Sequence, residues 1–270
     1  MKFSVSNISF EPESFAKALP FIKKVGGHGL ELAPGLLFED YLHQEDSAWL
    51  ELRDKIQAEG LKVFGFHGLF FAQEKIALFA DDEQRQNVEA QLIRLARGLH
   101  LLGGGTMVFG SPGTRIRYGK STNECFALSV DFFRRVCHLL KNEGYDVKLV
   151  VEPLAPNECE FLHSLEEGLS LATKVDSEQF GLHLDLKALL DQGLDVFREI
   201  ETFGAELDHV HMSVPGLGPM DAYELDHISL AGAFAKGGYD GVLSLEMRRG
   251  HGDDFGHIER SLGIMNQYYA

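Results

Sequence analysis

Apolar segments with the period of a β-strand alternate with segments of helical period eight times along this chain. No linker, low-complexity tract or block of charge divides the series. Strands that alternate strictly with helices form parallel sheets, because each helix carries the chain back to the start of the next strand. Strands are expected over residues 2–8, 29–33, 61–67, 106–109, 148–152, 180–185, 207–211 and 241–246. Helices are expected over residues 12–24, 48–59, 83–102, 124–142, 164–173, 187–203, 226–236 and 255–268.

Eight such units in 270 residues match the size of a closed (β/α)8 barrel. An open, doubly wound sheet is the alternative. It is less favoured because no GxGxxG motif follows the first predicted strand. We therefore interpret the chain as an α/β protein with a single TIM barrel domain over residues 1–270.

Polar residues end four neighbouring strands of this predicted barrel. Strands five to eight end in Glu152, Asp185, His211 and Glu246. Because the carboxyl ends of barrel strands meet at one face, these side chains are expected to share the mouth of the barrel. Three ionised carboxylates cannot share a small volume unless a cation neutralises them or their pKa values rise.

A divalent metal is the predicted cation. Three carboxylates and one imidazole form a hard, oxygen-rich ligand set that suits Mn²⁺ or Mg²⁺, with Co²⁺ or Zn²⁺ as substitutes. The alternative is that each acid pairs with a lysine or arginine. The strand ends and their immediate neighbours offer only Lys187 and Arg248 for this purpose.

Three histidines and one further acid lie on strands of the same predicted barrel. His183 and His209 stand two residues before the predicted ligands of strands six and seven, which places them on the same inward face, one layer deeper. There they either orient the metal ligands or form part of the core. His67 ends strand three and Glu31 ends strand two. Candidate substrate contacts are His67, His183 and Glu31, with a salt bridge as the alternative for Glu31.

The ordered set of strand-end residues resembles the xylose isomerase-like TIM barrels, the sugar isomerase and epimerase group that includes D-tagatose 3-epimerase and hydroxypyruvate isomerase. The resemblance covers nearly the whole chain, in the segments SNISF, GLELAP, VFGSP, VEPLAPNECEFL, GLHLD, HVHMSVPGLGP, LDH and GYDGVLSLEM. It implies that the four strand-end residues bind one divalent ion, usually Mn²⁺. It further implies that Glu152 and Glu246 are the acid/base pair, and that Glu158 contacts the sugar near its carbonyl end.

Two positions depart from the 3-epimerases of this group. Those enzymes usually have a histidine three residues after the strand-six aspartate, where this chain has Ala188. They also have an arginine six residues after the strand-seven histidine, where this chain has Leu217. Both family residues hold substrate hydroxyls, so we expect the metal chemistry to remain and the substrate to differ.

The expected function is that of a metal-dependent sugar isomerase or epimerase, which moves a proton next to the carbonyl of a ketose or ketosugar through an enediolate. The alternative is a lyase or dehydratase that acts on a keto-sugar or 3-keto-glycoside through the same enediolate. A sugar-binding barrel without activity and a phosphodiesterase are two further classes. The intact glutamate pair argues against the first, and the missing histidine at position 188 argues against the second.

Charge and cysteine usage exclude several partners and compartments. A net charge of -16 argues against a sequence-independent nucleic-acid binder, and no apolar run approaches the roughly 20 residues that a membrane span needs. Three cysteines without a CxxC motif, and no signal peptide, are typical of the reducing cytoplasm. The expected partner is a small sugar, and a homodimer or homotetramer is expected from the resemblance alone.

Two loop segments carry less definite signals. The sequence GSPG at 110–113 is followed by Arg115 and Arg117, which either hold an anion or belong to a solvated loop. Residues 68–81 are aromatic and lack a clear period, and Phe70 and Phe71 are expected to form core or pocket wall.

Overall fold

Eight parallel strands close into a barrel in which the spatial order follows the sequence. This computed structural model describes residues 1–70, 73 and 76–270, so Phe71 lies outside the described residues. Pairing of the first strand with the last closes the sheet, which confirms the predicted (β/α)8 barrel and makes the open-sheet alternative wrong. The strands are β1 (Lys2–Ser6), β2 (Gly29–Leu32), β3 (Lys62–Phe66), β4 (Gly105–Phe109), β5 (Val147–Val151), β6 (Phe180–Asp185), β7 (Leu207–Met212) and β8 (Val242–Leu245).

Nine α-helices surround the barrel within the described part of the chain. One predicted helix, over residues 187–203, is two helices in the structure. Gly193 has a φ of 67° and Asp195 accepts a hydrogen bond from the backbone N–H of Arg198, so the first helix ends and a second begins. The helices are α1 (Phe15–Lys24), α2 (Asp46–Ala58), α3 (Asp82–Leu102), α4 (Thr122–Glu143), α5 (Leu165–Val175), α6 (Leu186–Asp191), α7 (Val196–Phe203), α8 (His227–Gly237) and α9 (Asp254–Tyr268).

The strands alternate between apolar side chains that pack against the helices and polar side chains that meet inside the barrel. Leu182 of β6 lies against Gly168 of α5. The next residue, His183, faces the other way and packs against the rings of His209 and His211 in β7. Branched apolar residues usually fill the interior of such barrels. A polar interior is costly unless its groups are paired, so this one indicates a functional site.

Two predictions from the sequence concern membrane-spanning helices and the state of the cysteines. None of the described helices has the length and apolar character required to cross a bilayer. Cys125, Cys137 and Cys159 are buried free thiols.

Candidate active site

The ends of β5 to β8 deliver the four predicted ligands to the mouth of the barrel. Glu152 follows β5, Asp185 ends β6, His211 lies in β7 and Glu246 follows β8. Ligand atoms of Glu152, Asp185 and His211 lie within 4.8 Å of one another. Glu246 Oε2 lies 3.3 Å from His211 Nδ1, and Glu152 Oε1 lies 3.8 Å from the same nitrogen. The four side chains therefore converge around the ring of His211.

These four residues line a cavity of about 670 Å³ that opens at the carboxyl ends of the strands. This volume falls within the roughly 300–1,000 Å³ of small-molecule sites. His67 and Glu158 also line the cavity, whereas Glu31 and His183 lie below it.

Among the residues that the structure describes, the carboxylates of this cluster have no lysine or arginine partner. Within the described ranges, no such side chain lies within 4.0 Å of the carboxylate oxygens of Glu152, Asp185 or Glu246. Lys187 instead pairs with Glu158 at 2.6 Å, next to the cluster. Burial and the charges of Glu152 and Glu246 raise the pKa of Asp185 well above its ordinary value. A divalent cation would remove this repulsion.

His211 offers the most direct test of whether a metal fits. Its buried Nδ1 has no hydrogen-bond partner among the described residues, while Nε2 lies 3.0 and 3.1 Å from the two oxygens of Glu31. A carboxylate at Nε2 keeps the proton there and leaves the lone pair of Nδ1 free, as in many histidine metal ligands. The residues present therefore fit a divalent metal.

The protonation of His211 is consistent with the same conclusion. Burial opposes protonation of the ring, but Glu31 and Glu246 outweigh it, so that its pKa lies well above the ordinary value. In the absence of metal, the second ring proton would occupy Nδ1 and face the carboxylates. A metal would replace that proton, so binding is expected to release it.

Glu31 is fully buried beneath His211 and does not reach the cavity. Ser244 Oγ donates a hydrogen bond to its Oε2 at 2.6 Å. Burial opposes ionisation of Glu31, yet His211 and His209 lower its pKa below the ordinary value. This position does not allow contact with a substrate in the cavity. The structure shows the alternative, a salt bridge between Glu31 and His211. Glu31 thereby positions the ring of His211.

His183 and His209 form a neutral layer below the ligands. His183 Nδ1 lies 3.3 Å from His209 Nδ1, and His183 Nε2 lies 3.7 Å from an oxygen of Glu152. Burial lowers the pKa of His209 to about 4 and that of His183 well below its ordinary value. His183 is covered from the cavity, so it does not make the predicted substrate contact. Both rings lie where they can orient the predicted metal ligands. Because the rings are neutral, they add no positive charge that would oppose the binding of a cation.

His67 and Glu158, two predicted substrate contacts, occupy different levels of the cavity. His67 Nδ1 lies 3.2 Å from Glu246 Oε1, and its Nε2 lies 2.6 Å from Ser6 Oγ. It therefore holds one member of the glutamate pair while lining the cavity. Glu158 is exposed at the opening and is bound to Lys187.

The residues that hold Glu152 were missed from the sequence. A Cβ atom on Gly110 would lie 1.9 Å from Glu152 Oε2, so only glycine leaves room for this carboxylate. Arg115 is 1% exposed and donates to the backbone oxygens of Glu152 at 3.0 Å, of Phe161 at 3.3 Å and of Gly110. Arg115 is therefore buried, and its Nη1 and Nη2 donate to the main chain, which favours a structural role over an anion site. The only sequence signal was an arginine two residues after GSPG, which does not distinguish the two roles.

Replacement of Arg115 by methionine is expected to lower the free energy of unfolding by about 2–4 kcal/mol, because buried carbonyl oxygens lose a charged donor. Urea denaturation measures this change. Arg117→Met is the matched control. Arg117 is only half-buried, and we expect a change within about 0.5 kcal/mol. Equal losses in the two variants would contradict the bracing role of Arg115.

Replacement of Glu31 by glutamine is expected to weaken divalent metal binding by about 10–100-fold, because a neutral amide holds the His211 proton at Nε2 less firmly than a carboxylate does. Calorimetric titration with Mn²⁺ measures the affinity. Glu11→Gln removes the same charge from the rim of the cavity without touching His211. If both variants lose affinity equally, Glu31 acts only through its charge.

Comparison with known proteins gives a family and a fold. A family model described as a xylose isomerase-like TIM barrel matches residues 19–268. The structure of 3-keto-D-glucoside 4-epimerase from E. coli has a TM-score of 0.82 and 19% identity, and the match covers 99% of each chain. D-Psicose 3-epimerase from Clostridium cellulolyticum H10, solved with D-tagatose, has a TM-score of 0.82 and 18% identity, over 100% of this chain and 99% of that one.

A third solved structure comes from a different class of protein. An AP endonuclease of family 2 from Brucella melitensis has a TM-score of 0.75 and 20% identity, over 99% of this chain and 98% of that one. At these identities the likeness to solved structures establishes the fold alone. No curated protein matches the sequence at a significant level.

Proposed function

The chain belongs to the xylose isomerase-like TIM barrel family, and from this premise we propose that it is a divalent-metal-dependent isomerase or epimerase of a ketose or ketosugar. The observation that carries the proposal is the free Nδ1 of His211, which faces the carboxylates of Glu152 and Glu246. The sugar epimerases among the structural neighbours support the choice of substrate class.

The metal-binding part of the proposal assigns four ligands. Glu152, Asp185, His211 and Glu246 would hold one ion, with Mn²⁺ preferred and Mg²⁺, Co²⁺ or Zn²⁺ as alternatives. When bound, the ion supplies a Lewis acid for the substrate carbonyl. Asp185 Oδ1 accepts hydrogen bonds from Ser213 Oγ at 2.6 Å and from the N–H of Ala188 at 3.1 Å, which fixes the orientation of this ligand.

The proton transfer is assigned to the two glutamates. Glu152 and Glu246 come from β5 and β8, which are separated by two other strands, so they flank a substrate held between them. One removes the proton next to the carbonyl, which forms an enediolate. The other returns a proton to the opposite face in an epimerisation or to the adjacent carbon in an isomerisation. His67 and Gly110 restrict the glutamates to this position.

Solvent exchange tests the proposed reaction directly. Ketoses and 3-keto-glycosides are incubated in D₂O with the Mn²⁺-loaded protein and followed by NMR. We expect deuterium at the carbon next to the carbonyl and a rearranged product that differs from its substrate only by this label. A product that has lost water or an aglycone would instead identify a lyase. Absence of exchange across the whole panel would contradict both forms of the proposal.

A further inference from the structure

Among the described residues, three lysine or arginine side chains line the cavity of this strongly acidic chain: Lys187, Arg248 and Arg249. Two of them are engaged by carboxylates. Lys187 is bound to Glu158 at 2.6 Å, and Arg249 Nε lies 2.8 Å from an oxygen of Glu11. These pairs leave little positive charge for a ligand.

The third cation, Arg248, is available for a ligand. Over the described ranges of the chain, no carboxylate lies within 4.0 Å of its guanidinium. Its hydrogen bond is a long one, from Nη2 to the carbonyl oxygen of Gly216 at 3.5 Å. A guanidinium carries five N–H donors in a planar fork, and this arrangement matches the paired oxygens of a carboxylate or phosphate.

The main chain at Arg248 is held in place from two sides. The N–H of Arg248 donates to the carbonyl oxygen of Leu217 at 2.8 Å, in the loop after β7. The N–H of Arg249 donates to the carbonyl oxygen of Ile8 at 2.9 Å, in the segment after β1. A side chain on a fixed backbone loses less conformational freedom when it binds a ligand. The arginine is therefore partly pre-organised.

The loop that receives this hydrogen bond has an uncommon conformation. Gly216 has a φ of 73° and Leu217 a φ of 53°, although leucine rarely adopts the left-handed region. In this conformation both carbonyl oxygens contact Arg248. Strained residues of this kind concentrate at ligand sites. Leu217 itself lines the cavity.

Arg248 lies close to Glu246, a residue of the proposed proton transfer, but nearer to the opening of the cavity. Glu246 is 9% exposed, whereas Arg248, two residues later, is exposed at the opening. Two residues of chain span at most about 7 Å. A ligand that reaches Glu246 with its carbonyl end can thus reach Arg248 with its far end. The cavity of about 670 Å³ has room for a substituted sugar.

We propose that Arg248 binds an anionic group, a phosphate or a carboxylate, that the substrate carries at the end remote from its reacting carbonyl. The assignment deepens the proposed function and rests on it for the ketose part of the ligand. It predicts a substrate class, the anionic ketoses, that the acidic strand-end residues around the cavity would not select.

Calorimetry with three ketoses of the same carbon skeleton tests the assignment. The probes are D-fructose, D-fructose 6-phosphate and D-fructuronate, each titrated into the Mn²⁺-loaded protein. At least one anion is expected to bind about 10–100-fold more tightly than D-fructose, as for a charge-assisted hydrogen bond. Preference for D-fructose 6-phosphate alone would identify a phosphate, and preference for D-fructuronate alone a carboxylate.

Two substitutions at adjacent positions complete the test. Arg248→Gln is expected to abolish the preference for the anion, whereas Arg249→Gln, which removes the same charge next to it, is expected to keep it. Equal affinities for the three ketoses, no binding of either anion, or a preference that survives Arg248→Gln would overturn the assignment. Anion-selective binding without solvent exchange would remove the proposed reaction and leave the role of Arg248 standing. Solvent exchange without a preference for the anion would leave the proposed reaction standing and remove the role of Arg248.

Discussion

Glu246→Gln is expected to lower kcat by about 10²–10⁴-fold, the range that removal of a positioned general acid or base typically costs. Burial disfavours the charged form of Glu246, but the neighbouring His211 outweighs it and lowers the pKa of this carboxyl well below its ordinary value. The side chain is therefore a carboxylate that can accept a proton from a substrate. An amide of nearly the same shape keeps the packing against His67 but cannot accept a proton.

The experiment must separate loss of the proton acceptor from loss of metal or fold. Turnover is measured by NMR on the substrate with the fastest exchange, the Mn²⁺ content by atomic absorption and the fold by thermal denaturation. Glu152→Gln is expected to behave in the same way, because it removes the other member of the pair. Glu11→Gln, at the rim of the same cavity, is the matched control and is expected to keep activity. Substantial turnover in a folded Glu246→Gln or Glu152→Gln variant would refute the acid/base assignment.

Removal of the metal is the second change with a large expected effect. Dialysis against EDTA is expected to abolish turnover and to lower the melting temperature, and Mn²⁺ is expected to restore both. A ligand at 100 times its Kd stabilises a folded protein by about 2.7 kcal/mol. In the metal-free protein the buried carboxylates of Asp185, Glu152 and Glu246 repel one another. This repulsion is why the loss of stability is expected along with the loss of activity.

The pH dependence of metal binding gives an independent check. The pKa values of Asp185 and His211 are both raised well above their ordinary values in the metal-free site. Protons compete with the metal for both groups, so affinity for Mn²⁺ should increase as the pH rises through their pKa values. Calorimetry at several pH values measures the affinity, and buffers of different ionisation enthalpy measure the protons released. A metal-free protein that is fully active, or an affinity independent of pH, would contradict a metal held by these residues.

The strand-end residues could be predicted from the sequence because the topology of a parallel barrel supplies most of the geometry. Glu152, Asp185, His211 and Glu246 each end a strand, and all strand ends of such a barrel meet at one face. The periodicity that identifies each strand is local, so it can be recognised from the sequence alone. The split of the predicted helix 187–203 was missed, because a single glycine inside a helical pattern does not reveal its φ.

The sequence by itself determined the barrel and the four residues at its strand ends, since both follow from the local period of each segment and from the order of the segments. Only the tertiary structure decided what each remaining polar residue does. Glu31 contacts His211 across 180 positions of the chain, and Arg115 braces the backbone at Glu152 from a loop that could equally have been solvated. Such contacts depend on the stagger of strands around the closed barrel and on which side chains that closure covers, and neither is encoded in the spacing of residues along the chain.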